Sequence, residues 1–263
     1  MSQRTVKILY IAIHGILALL LSGLALFIFL HQLIPTQFAF IGEVKAAPEV
    51  PYAGQTVLHI ILSFVGMIPA LSLPATSRNE IERALMPPMF LMMTLTNVSV
   101  IGFMTVLTTG GTIALTTIAR IHLFAVLFAT MLMLFMGLFH LGINTSKITQ
   151  FSLLAAAGCL LIASLVPIAP ALNPLDQRLW IIDRRFMILP SIIGVIAIFN
   201  YLALYLRERS QHILFRGVSI SLIIAGHTLY TLRPGTVVVW LGIMLLTGGF
   251  IVGLPSGRFS QIQ

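Results

Sequence analysis

Long apolar runs separated by short polar ones repeat along the whole chain. Runs at 8–31, 55–75, 85–107, 117–143, 149–170, 186–206, 213–231 and 235–254 each hold mostly apolar residues, at the length of about 20 that carries an α-helix across the hydrocarbon of a bilayer. The pattern predicts an all-α fold: a polytopic transmembrane helical bundle of about eight spans. Arg233-Pro234-Gly235, a strong turn signal, is all that divides the last two runs. If those runs are not both spans, the number is seven. The fourth run is long enough to tilt or to project from the membrane.

The connections are short. Pro35 to Tyr52 is a polar, Pro-containing loop with Glu43, Lys45 and Glu49, and Thr76 to Arg83 is compact and charged. Asn173 to Arg185 gathers Asp176, Arg178, Asp183, Arg184 and Arg185 around Trp180 and reads as a short amphipathic interfacial segment. No connection has room for a soluble domain, so residues 1–263 form one transmembrane domain. Ahead of the first run lies a short basic region with Arg4 and Lys7. The run itself exceeds the roughly 7–15 apolar residues of a secretory signal, which predicts an uncleaved first span.

Composition agrees with a lipid solvent. Of 263 residues, 58% are hydrophobic and 8% charged, against about 25% charged in a soluble domain. The mean hydropathy is +1.04. The net charge is +8, yet the fifteen Lys and Arg lie singly or in small groups between apolar runs. Without a basic stripe to track phosphates, nucleic acid is excluded as a partner.

Those charges set topology instead, because cytoplasmic loops collect Lys and Arg. With the N-terminus inside, one side holds nine of them (Arg4, Lys7, Arg78, Arg83, Lys147, Arg207, Arg209, Arg216, Arg258) and the other six (Lys45, Arg120, Arg178, Arg184, Arg185, Arg233). The expectation is a multi-pass protein of the cell (inner) membrane with a cytoplasmic N-terminus.

The candidate chemistry is histidine. His31 and His212 sit at span ends, where water reaches them, but His14, His59, His122, His140 and His227 fall within spans. An ionisable ring in hydrocarbon costs free energy unless it is paired or bound, so by default it marks function. On the predicted topology His59, His122 and His227 share an outer layer, and His14 and His140 an inner one. His122 and His140 are eighteen residues apart. That is five helical turns, so both rings leave one face of one helix about 27 Å apart along its axis.

Cofactor sites in bundles are built from side chains on facing helices, and axial histidines hold haem iron. The expectation is an integral membrane electron-transfer protein binding haem b, one or two, as a subunit of a respiratory or quinone-linked complex. His14 and His140 would ligate an inner haem, and His122 with His59 or His227 an outer one. Arg120 and Arg233 would meet the outer propionates. The same three outer histidines, His59, His122 and His227, suit copper or zinc as an alternative.

The remaining features favour simpler roles. Histidines in bundles also make ordinary interhelical hydrogen bonds of about 0.6 kcal/mol, which leaves a non-enzymatic scaffold, sensor or accessory subunit packed against partner chains as the rival reading. Asn97 and Asn200 read as interhelical glue, and the methionines around Pro87 and Pro88, at the start of the third span, as apolar filler. The lone Cys159 excludes an internal disulfide and any Cys-based cluster. With no acidic residue well inside a span, a transporter or channel ranks last, and an enzymatic activity stays open.

Overall fold

The apolar runs fold as helices because in lipid every backbone amide and carbonyl must be satisfied within its own segment. The structure, a computed structural model, describes residues 3–33, 50–73, 80–101, 112–173, 178–182, 184–232 and 236–258. Among them are eight long helices: α1 (Gln3–Leu33), α2 (Val50–Ser72), α3 (Glu80–Leu95), α4 (Thr112–His140), α5 (Ile148–Leu165), α6 (Arg184–Glu208), α7 (Gln211–Leu232) and α8 (Thr236–Arg258). Seven are long and apolar enough to cross a membrane, while α8 carries a shorter apolar stretch, Val237–Gly253. The chain is a multi-pass, all-α membrane bundle.

At its centre is α4, packed against α3, α5 and α6, with α2 bridging α1, α3 and α8. In the apolar window of α4 67% of residues are buried, against 17% in α1, so α4 is core and α1 is rim. Met67, Leu85, Met89, Met93, Leu132, Met136 and Leu246 make the centre of the main core. Leu19, Leu20, Leu153, Leu154, Phe199 and Val237 are exposed, the surface that a bundle presents to acyl chains.

Two of the boundaries that differ from the sequence expectation have a local cause. The third span begins at Glu80 rather than 85, with Glu80 and Glu82 in its first turn, where carboxylates favour the positive end of a helix. Pro87 and Pro88 therefore lie inside α3 and not at its start. The fifth span ends at Leu165, because Pro167 forces Val166 to the extended conformation (φ −65°, ψ 129°).

Within the segment read as amphipathic and interfacial, Arg178–Ile182 is instead one strand of a β-hairpin arm whose other strand begins in the fifth run. Strands β1 (Ile168–Asn173) and β2 (Arg178–Ile182) pair antiparallel, with Ile168 opposite Ile182 and Pro170 opposite Trp180. The β-branched and aromatic residues of Leu179-Trp180-Ile181-Ile182 suit a strand. Gly142, at φ +115°, takes the left-handed conformation just beyond α4, the usual glycine stop of a helix.

Candidate functional site

Toward its C-terminal end the third span is distorted. After Leu95, α3 tightens into a 3-10 turn over Thr96–Val98, then resumes its α-helical course to Ile101. Thr94, Thr96 and Asn97 are all fully buried here. The Asn97 amide donates to the carbonyls of Thr94 (3.1 Å) and Met93 (3.4 Å), which offsets the broken ladder. A 3-10 stretch inside a helix is a frequent mark of a functional segment.

Four of the five deep histidines converge on this turn, each from a different helix. His14 of α1 meets the Thr94 hydroxyl at 2.5 Å through Nε2 and the Met67 sulfur at 3.1 Å through Nδ1. A thioether has no proton to give, so Nδ1–H is the donor to sulfur and the Thr94 hydroxyl donates to Nε2. His122 of α4 donates from Nδ1 to the Thr96 carbonyl at 2.6 Å. His59 of α2 accepts at Nδ1 from the Asn97 amide at 3.0 Å.

The fourth histidine arrives through the third. Since His59 accepts at Nδ1, its proton is on Nε2, which donates to Nδ1 of His227 at 3.4 Å. The proton of His227 is then on Nε2, a buried atom without a hydrogen-bond partner among the described residues. Tyr230, one turn along α7, donates its hydroxyl to the Asn97 carbonyl oxygen at 2.5 Å. Its ring stacks on His59, with centroids 3.8 Å apart and planes 3° from parallel. The result is a directed chain, Tyr230 to Asn97 to His59 to His227.

The expected inner pair is not brought together. His140, at the end of α4, donates from Nε2 to Glu82 Oε1 at 2.7 Å. Glu82 and Thr94 are twelve residues apart in α3, about 18 Å along its axis, so His14 belongs with the outer histidines rather than with His140. His140 ends α4, whereas His122 lies ten residues inside its other end. Arg120 is exposed two residues from His122, and Arg233 lies outside the described residues. No group of three His, Cys, Asp or Glu side chains among the described residues is disposed to hold a metal ion.

Glu82, Tyr230 and the His14 partner Thr94 are among the residues of these networks that escaped the sequence reading. Glu82 was taken for part of a loop, yet it is 1% exposed and also pairs with Arg216 Nη1 at 2.7 Å. This correction puts an acid inside the bundle. The available signal was Arg216 itself, a cation three residues into an apolar run that begins at 213. Tyr230 carried a weaker one, standing three residues after His227 and so on the same helix face. Comparison with protein families, characterised proteins and solved structures finds no match.

Proposed function

We propose that this protein transfers protons within the membrane, with the His59–His227 pair as the proton-holding element. The observation that carries the reading is the directed hydrogen-bond chain that ends at His227 Nε2–H. A buried donor without an acceptor costs roughly 1–3 kcal/mol, so a group kept in that state is a natural point of proton exit. Neutral imidazole is both donor and acceptor, which makes two linked rings a two-step relay.

The step balances as follows. A proton enters at His59 Nδ1 once the Asn97 amide turns away. The Nε2 proton of His59 crosses to His227 Nδ1, and the Nε2 proton of His227 leaves to an acceptor such as water. One proton has entered and one has left, and rotation of both rings restores the starting tautomers. Asn97 and Tyr230 are positioning residues in this scheme, because the Asn97 amide does not ionise and so passes no proton from the Tyr230 hydroxyl to His59.

Proteoliposomes loaded with a pH-sensitive dye and driven by a potassium diffusion potential test it. Proton uptake is expected to exceed that of protein-free vesicles and to fall at least tenfold in His59→Gln and His227→Gln. Uptake equal to that of empty vesicles would make the network a packing device and favour the accessory-subunit reading.

Electron transfer through haem b is the second reading. It is favoured by His122, whose Nδ1–H is held by the Thr96 carbonyl, the kind of contact that fixes the tautomer and orientation of a ligating imidazole. It ranks lower because both ring nitrogens of His59 are already bonded, Nδ1 to Asn97 and Nε2 to His227, which leaves His122 without the His59 partner expected for it. A reduced-minus-oxidised spectrum with elemental analysis for iron and copper decides it. The excess of Lys and Arg at one end supports a cell-membrane protein with its N-terminus in the cytoplasm.

A further inference from the structure

Away from the histidine cluster, the far end of the bundle holds a buried charge with unequal use of its two oxygens. His140 Nε2 and Arg216 Nη1 both reach Glu82 Oε1, each at 2.7 Å. Oε2 of the same carboxylate is buried and has no hydrogen-bond partner among the described residues. An ionised carboxylate accepts through both oxygens, and leaving a charged acceptor unmatched costs more than leaving a neutral one.

Glu82 and Arg216 line a cavity of about 120 Å³ walled by α2, α3, α7 and α8. Apart from Ser219, whose hydroxyl is bonded to the Gly249 carbonyl, the rest of the wall is apolar, with Met86, Phe90, Ile223 and Phe250 prominent. Phe90 and Phe250 stand with ring centroids 5.5 Å apart, edges and faces against which another ring packs well. The volume is close to that of the roughly 150 Å³ apolar cavity known to admit benzene.

We propose that this cavity binds the ring of a neutral, membrane-soluble hydroxyarene of the quinol type. Charge selects the class. Glu82 and Arg216 cancel one another, so a cation would meet the guanidinium and an anion the carboxylate. A neutral hydroxyl donates to Glu82, an adjacent ring oxygen accepts from Arg216, and the ring packs against the Phe90–Phe250 pair. A quinone lacks the hydroxyl proton and leaves Oε2 without a donor, so the reduced form binds more tightly.

The test is binding of decylubiquinol and of decylubiquinone, each under its own redox conditions, to the full chain in nanodiscs. The quinol is expected to bind at least tenfold more tightly than the quinone. Glu82→Gln is expected to abolish that preference, and Leu73→Trp, which plugs the cavity from the end of α2, to abolish binding of both. If Glu82→Gln fails to fold, Leu73→Trp still decides. Equal binding of the two forms, no binding of the quinol, or binding undiminished by Leu73→Trp would overturn the proposal. Proton uptake through His59 and His227 is a separate readout, so either reading can fail without the other.

Discussion

Among the described residues, Asn97 makes four side-chain hydrogen bonds. Its amide serves His59 and two α3 carbonyls, while its oxygen takes the Tyr230 hydroxyl. Asn97→Leu removes all of these contacts and is expected to destabilise the protein by roughly 2 kcal/mol or more, given about 1–3 kcal/mol for each buried polar group deprived of a bond. Tyr230→Phe removes one bond and keeps the stack on His59, so its cost is about 1 kcal/mol. Unfolding of the two variants in mixed micelles checks the order, and equal costs would mean that the network stabilises through ring packing alone. Much of this cluster was legible in the sequence, since an amide and several histidines inside apolar runs have few innocent explanations. The partner of His14 was not legible. Depth estimated from run boundaries errs by a turn or more, enough to assign it to His140 when Thr94 holds it.

Helix pairs are specified by features that hydropathy ignores. Between α7 and α8 the backbones touch: a Cβ added at Gly226 would lie 2.5 Å from the Gly242 carbonyl, and one at Gly242 would lie 2.8 Å from that of Gly226. The Ser219 hydroxyl donates to the Gly249 carbonyl at 2.7 Å in the same seam. Small residues are the common means of close approach in membranes, where apolar burial gives helices no preference for one another over lipid. Gly226→Ala is therefore expected to cost about 1–3 kcal/mol as overpacking. Gly23→Ala in α1, where an added Cβ meets nothing within 4 Å, is expected to be neutral or mildly stabilising. The pair of variants is read by the same unfolding assay, and a harmless Gly226→Ala would mean that the seam is loose. Hydropathy located the helices but misjudged their ends. Glu80 and Glu82 looked like loop because charges in a first turn are indistinguishable from charges before it. The hairpin arm was hidden for a related reason, since a short run with alternating charge fits an interfacial helix as well as a strand.

The two polar sites lie at different levels of one bundle, with Met89, Phe90 and Met93 of the core between them. The end that holds Glu82 also joins the loop after α4 to the end of α6, because Arg207 donates to the Leu141 carbonyl at 2.9 Å. Arg83, Lys147, Arg209 and Arg216 belong to that end by sequence adjacency, whereas Arg120 lies toward the opposite end of α4, twenty residues from His140. The bias of cations thus coincides with one physical face of the bundle, the face that positive-inside topology assigns to the cytoplasm. Single cysteines report it directly, because the native Cys159 is buried and out of reach of a membrane-impermeant maleimide. Asn144→Cys and Ser210→Cys, both exposed or half-exposed in the loops at the Arg207 end, are expected to label only in inverted vesicles. Arg120→Cys is expected to label only in right-side-out vesicles or whole cells. The opposite pattern would place the Glu82 cavity on the outer side and the exit of the histidine relay toward the cytoplasm, reversing the direction in which any proton gradient loads it. Labelling of Asn144→Cys and Ser210→Cys from different sides would contradict the Arg207–Leu141 contact itself, since one face of a bundle cannot meet two compartments.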